Sequence, residues 1–240
     1  MKPNFALNFN HAGISLLHRA SSGWHIMGDV SLEDPGMDAA LARLRSTATA
    51  IASSGLSTKL VIPNSQILYR TVPDPGRNKS KRQKTIEDAL TGATPYALNE
   101  LAYDWTITDA GLQIAVVARE TLEEAESFAR QHRFNPLCFV AIPEDGNFDA
   151  EPFFGRTEAA DALIGKNTKI DRDETAIHIL TSHRTTLAAA IPAVEPAFVE
   201  GPLTDADTED APEPEAQAKP LIETETETET ETETETETET

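Results

Sequence analysis

The amino-acid sequence predicts an α/β fold over residues 1–143, and three observations predict it. Three strand-like runs, 4–10, 12–19 and 24–32, succeed one another with only turn residues between them. Segments of helical period then alternate with short apolar runs as far as Pro143. Beyond that point the periodicity fades: residues 144–200 read as mostly linker with one short helix and one strand, and residues 201–240 as an acidic, disordered low-complexity tail.

Each element has a local reason. FALNFN, GISLLHRA and GWHIMGDVSL interleave apolar and polar residues and are split by Asn10–His11 and by Ser21–Ser22–Gly23, which reads as a β-meander. Asp34–Pro35–Gly36 opens a helix whose apolar face recurs at Met37, Leu41, Leu44, Ala48 and Ile51. Ser53–Ser54–Gly55 stops it. TKLVIP follows as a buried-type strand and QILYRTVP as an alternating one. Asp74–Pro75–Gly76 is a turn leading into RNKSKRQKTIEDALTG, an amphipathic helix carrying Ile86, Ala89 and Leu90 and ended by Gly92. ELAYDWTIT and LQIAVVAR flank Asp109–Ala110–Gly111 as a hairpin. Thr121 with Glu124 three residues on predicts a capped start for the helix TLEEAESFARQH. NPLCFVAIP is the last strand of this series. Further on, EPFFGRTEAADALIG holds the short helix and ETAIHIL the strand.

Charge is unevenly spread. The chain carries −20 in all, but residues 201–240 hold 15 acidic side chains against Lys219 alone, and the first 200 residues carry 25 acidic and 19 basic ones. The acidity therefore belongs to the tail, whose nine Glu-Thr repeats would put every Glu on one face of a strand and so oppose one. A molecule this negative is repelled by a phosphate backbone, so a nucleic-acid partner is not expected. A lone Cys138 forms no internal disulfide, no apolar run approaches a membrane span, and Asn breaks the apolar run at the N-terminus. These features predict a cytoplasmic segment without direct membrane insertion.

Few residues offer chemistry. His11, His18 and His25 fall seven apart, yet strand residues at that spacing alternate faces, so no metal site is expected. Cys138 reads as a core thiol, and Trp24 and Trp105 as core or sheet-face residues. No G-x-S-x-G, P-loop or G-x-G-x-x-G occurs. Arg77, Lys79, Lys81, Arg82 and Lys84 form a cationic cluster at a helix start, where acids are favoured, and are a candidate docking patch for an acidic segment.

The stretch from Leu60 to Pro143 carries a more specific pattern. It runs LVIP, ILYRTVPDPG, a helix around Ile86, TPYALNELAYDW and LQIAVVARETLEEAESFARQHRFNPLCFVAIPE. This resembles the actin-like proteins of type IV pilus assembly and type II secretion, the PilM and GspL types, in which Pro precedes an acidic-aromatic segment ending in Asp-Trp, followed by a Val-rich strand and a helix. Arg133-Phe134-Asn135-Pro136 stands where that family has Gly-Leu-x-Pro. The opening hairpin resembles the family's first hairpin more loosely, and the likeness extends over about 140 residues.

The resemblance implies a partial actin-like, ribonuclease H-like fold with a small inserted α/β subdomain at about 64–143. In ATP-using members of that superfamily the first turn wraps phosphates with backbone N–H groups, and an acidic residue at the strand end helps hold the metal. On that pattern Asn8 stands at the Asp position, Asn10 at the first Gly, Ser15 at the Lys, and Gly13 survives. Asn supplies no charge for Mg²⁺, so this is a degenerate phosphate loop, and neither nucleotide, cofactor nor catalysis is expected. No Gly-rich segment after residue 146 marks a second actin-like half, so the chain reads as half of such a fold or as a piece of something longer. The implied function is a non-catalytic scaffold or adaptor of an envelope assembly machine. It would bind protein partners, among them the cytoplasmic tail of a membrane subunit or the assembly ATPase. The rival expectations are the N-terminal piece of an actin-like ATPase or kinase, and an acidic protein whose tail binds basic partners.

Overall fold

The computed structural model describes residues 1–53 and 55–180. The expectations for 181–240, including the Glu-Thr repeats, lie outside the described residues.

The meander forms as β1 (Phe5–Asn10), β2 (Gly13–Ala20) and β3 (Gly23–Ser31), paired antiparallel. Helix α1 (Met37–Ile51) crosses over to β4 (Thr58–Ile62), which lies parallel to β1. The chain then leaves this sheet and builds a second one from β5 (Leu68–Val72), helix α2 (Lys79–Leu90), β6 (Leu101–Thr108) and β7 (Gly111–Ala118), in the order β5-β7-β6. Helix α3 (Arg119–Gln131) returns it to β8 (Pro136–Ala141), parallel to β4. The resulting order β3-β2-β1-β4-β8, antiparallel on one side and parallel on the other, is the ribonuclease H-like arrangement of an actin-like half.

Alternation along the strands feeds two cores. Phe5, Leu7, Leu60 and Ile62 meet Leu41 and Ala48 of α1 and Leu122 and Ala129 of α3 on one face. Ala6, Val61, Cys138 and Val140 point to the other. Leu112, Ile114 and Val116 of β7 close a third core with Ile86 and Leu90 of α2.

Three expectations need correction. Helix α3 starts at Arg119 directly out of β7, with Ala118 as its cap residue and no side-chain capping bond, so Thr121 sits inside the first turn. Ile51 ends α1 and is 52% exposed, so the buried face of this helix stops at Ala48. The second sheet ends with β7, since β8 pairs in the main sheet and α3 packs on that sheet's core.

Residues 144–180 are also more than linker. The short helix and strand fall where the sequence placed them, as α4 (Ala159–Ile164) and β10 (Ile179–Leu180), but β9 (Phe153–Arg156) is added and the segment borders the main sheet on both sides, in the order β10-β3-β2-β1-β4-β8-β9. Ile170 and Ile177 complete the second core. The buried Glu126 of α3 accepts from the amides of Glu158 (3.0 Å) and Ala159 (2.8 Å) at the start of α4.

A charge cluster ties this segment down. Lys59 of β4, 1% exposed, donates to Glu151, also 1% exposed, at 2.5 Å and to Asp173. Asp173 in turn accepts from Arg19 at 2.6 Å, and Arg19 lies 4.4 Å from the Trp24 ring centre. Burial pushes the Glu151 carboxyl up. Burial also opposes ionisation of Asp173, but hydrogen bonds from Arg19 and Lys59 overcome it and hold that carboxyl below its ordinary 3.8. A lowered native pKa contributes stability above the unfolded value and loses it as pH falls. Asp173→Asn therefore has an expected pH signature: denaturant midpoints of wild type and variant, well apart at pH 6, converge as the pH drops below about 4. A gap that stays constant to pH 2.5 refutes it.

Candidate functional site

The first hairpin, the end of β4 and the start of the inserted sheet enclose a cleft of about 680 Å³. It opens beyond the C-terminal ends of the parallel strands β1 and β4, the place where open α/β sheets bind ligands. Its polar lining is Asn8, Asn10, His11, Asn64, Tyr69 and Glu144, and its apolar floor is Phe9, Ile62, Ile67 and Ile142.

The hairpin turn consumes its own donors. Asn10 pairs with Gly13 across a two-residue loop, and its Oδ1 accepts from the amides of Ala12 (2.9 Å) and Gly13 (3.1 Å). The side-chain oxygen thus takes up two amides of its own loop. The buried Ser15 donates through Oγ to Asp29 Oδ1 at 2.6 Å. Gly13 has φ +150°, and a Cβ there would lie 2.0 Å from the Val30 carbonyl oxygen. Its glycine is required by the closeness of β3, independently of any ligand.

On the opposite wall Tyr69 donates to Asn64 Oδ1 at 2.8 Å, and Asn64 donates through Nδ2 to the Ile142 carbonyl at 2.7 Å. This chain fixes both side chains. Burial, then the charge of Glu144, drives the Tyr69 hydroxyl pKa well above its ordinary 10, so it stays a donor. Glu144 is exposed and makes no salt bridge with a described residue, and no Lys or Arg lines the cleft. The wall is rich in amides, carries one free carboxylate, and offers little to an anion.

The basic cluster is thinner than its sequence. Arg82 forks onto Asp74 at 2.8 and 2.7 Å, and Asp74 Oδ1 also accepts from Gly76, so this arginine holds the turn before α2. Lys84 pairs with Asp88 at 3.2 Å, and Asn78 caps α2 by accepting from the Lys81 amide. Arg77, Lys79 and Lys81 remain exposed.

The histidines do not all separate: the spacing put them on alternate faces, but the β2–β3 register brings His18 and His25 directly opposite each other. His11 lies in the turn, while His18 and His25 pair across β2 and β3 with His18 against Phe5 at 4.8 Å. Among the described residues no three His, Cys, Asp or Glu side chains gather as metal ligands. Cys138 is buried, and burial pushes its thiol up to about 12. Trp24 is buried in the second core, and Trp105 packs half-buried on the third. Among the described residues no helix is long and apolar enough to cross a membrane.

Sequence reasoning missed Lys59 and the Asn64–Tyr69 wall. The signal for the first was present, a lysine inside the five-residue buried run TKLVI.

No family model matches the chain, and no curated protein matches it. Among solved structures it is similar to the cytoplasmic domain of EpsL, an inner membrane component of the type II secretion system of Vibrio cholerae, at 13% identity and a TM-score of 0.43 over 59% of this chain and 60% of that one. It is also similar to the PilM-PilN type IV pilus biogenesis complex, at 14% identity and a TM-score of 0.44 over 58% of this chain and 47% of that one. The part that aligns spans under two thirds of the one solved chain and about half of the other.

Proposed function

We propose that the protein is a non-catalytic cytoplasmic adaptor of a bacterial pilus or secretion assembly machine, and that it holds partner protein segments in the cleft between the first hairpin and the inserted sheet. The sequence resemblance over 60–143 supports the machine, and the chemistry of the cleft supports the mode. One observation carries the second part: Asn10 Oδ1 occupies the loop amides that a phosphate would use. Without those donors, and with Glu144 on the rim, a nucleoside triphosphate finds no charge complement. Amide side chains and a mixed apolar floor suit a peptide, whose main chain offers both donors and acceptors.

Calorimetric titration of the full chain with ATP and Mg²⁺ tests the exclusion. The expected result is no saturable heat at millimolar nucleotide. Saturable binding would instead establish the rival reading, an N-terminal piece of an actin-like ATPase or kinase. Affinity capture on the full chain from its native host tests the adaptor itself, with a membrane subunit's cytoplasmic tail or the assembly ATPase as the expected catch. Recovery of no envelope-assembly component overturns it.

A further inference from the structure

The end of α3 carries a residue that local backbone preference does not choose. Arg133 follows the helix cap His132 with φ +60°, in the left-handed region that favours glycine. It stands where the family that the sequence resembles has Gly. An arginine at this position costs conformational energy and gives the fold no contact in exchange. Its side chain is exposed and makes no hydrogen bond or salt bridge with a described residue. The helix dipole does not require it either, because Arg130 already occupies the last turn. Backbone strain at a charged surface residue is a pointer to function.

Arg133 lines a cleft of about 260 Å³ between α3 and α1. Gln131 and His132 belong to the same wall. Asp38, Ala42 and Arg45 form the other, at spacings of four and three that put them on one stripe of α1. Arg45 is half-buried and, like Arg133, has no hydrogen-bond or salt-bridge partner for its side chain among the described residues. Elsewhere the fold ties its arginines down: Arg19, Arg82, Arg156 and Arg172 lie on carboxylates, and Arg70 and Arg119 on main-chain carbonyls. Asp38 is the one acid of this lining; it is 84% exposed and lies 3.9 Å from His132. Arg43 and Arg130, both exposed, adjoin the two walls in sequence. The volume lies below the usual small-molecule range of about 300–1,000 Å³ and suits the ends of side chains. A guanidinium on each wall offers the planar fork that a carboxylate fits.

We propose that the α1–α3 cleft is a docking surface for an acidic segment of a partner protein, whose Glu or Asp side chains are held by Arg45 and Arg133. Charge complementarity selects this occupant. Most of the chain's −20 resides beyond residue 200, and at physiological salt exposed charges more than about 8 Å away are screened, so the cations of the cleft decide what settles there. The surface shares no lining residue with the cleft beside the first hairpin, so it stands or falls independently of the function proposed for that cleft.

The test is an anisotropy titration of a labelled peptide of alternating Glu and Thr with the full chain. A full-length variant with Gln in place of the nine Glu of 223–239 is run beside it, so that carboxylates of the same molecule do not compete. The expected result is saturable binding to both chains that weakens with salt and that a Gln-Thr peptide lacks. Arg45→Ala weakens it about tenfold, whereas Lys79→Glu combined with Lys81→Glu on α2 leaves it unchanged. Arg133→Gly also weakens it about tenfold but raises the Tm by about 2 °C, because glycine relieves the left-handed strain. A purely structural arginine would not move affinity and stability in opposite directions. Absence of saturable binding in both chains, equal binding of the Gln-Thr peptide, an Arg133→Gly variant of full affinity, or an equal loss in the α2 variant overturns the proposal. Displacement by inorganic phosphate at matched ionic strength overturns it in favour of a phosphate site. Binding seen only with the Gln variant overturns it in favour of the chain's own Glu-Thr repeats as the occupant.

Discussion

Replacing Lys59 with Met is expected to destabilise the fold by about 3–5 kcal/mol, the range for removing one partner of a buried ion pair. The size follows from what is left behind. Glu151 and Asp173 both bond the same ammonium group, so its loss leaves two carboxylates facing each other, one of them fully buried. Asp173 retains Arg19 at 2.6 Å, so the stranded charge is Glu151. Adding Glu151→Leu to Lys59→Met should therefore recover most of the loss, because an apolar pair of similar volume replaces a buried ionic one at little net cost. Urea unfolding of the two variants with unchanged slopes measures this. A single variant within about 1 kcal/mol of wild type would refute the view that this cluster holds residues 144–180 on the sheet. For a domain of ordinary stability the single change removes a third or more of the total.

Gly13→Ala is the second large effect, at about 3 kcal/mol, summing overpacking against rigid backbone and a conformation that L side chains avoid. The nearest atoms to the added carbon are the Val30 carbonyl oxygen at 2.0 Å and the Ser31 Cα at 2.9 Å, both backbone atoms of β3. Neither rotates away, so β3 must separate from the hairpin. Gly92→Ala isolates the conformational part, since φ there is +70° and nothing lies within 4 Å of its Cβ position. It should cost about 1 kcal/mol, as for an ordinary left-handed glycine after a helix. Equal thermal shifts for the two variants would show that the contact with β3 contributes nothing.

Legibility of the fold in the sequence followed its periodicity. The meander, both crossover helices and the hairpin at Asp109–Gly111 were readable because turn residues bracket runs of clear period. Thr121 misled because a capping box requires a break before it, and β7 passes into α3 without one. Residues 144–180 misled for a different reason. Their contribution is made through isolated side chains, Phe154, Ile170, Asp173 and Ile177, that dock on partners far away in sequence. Such contacts leave no local pattern. At the candidate site the family resemblance set Asn8 and Asn10 against an acidic residue and a glycine, but Asn10 turning back on the loop amides is a matter of geometry. Asn64 and Tyr69 read as loop and strand residues until folding placed them opposite that hairpin.

The borders of the main sheet also set a schedule for synthesis. The five central strands are complete once β8 has emerged, yet β3 and β8 then face solvent, awaiting β10 and β9. Chains are made N-terminus first, at about 5–20 residues per second. For some seconds the nascent domain therefore carries two unpaired strand edges and an uncovered Trp24 face, with the carboxylates that neutralise Lys59 still to be translated. Unpaired edges of this kind favour aggregation, and the interval closes when β9 and β10 arrive.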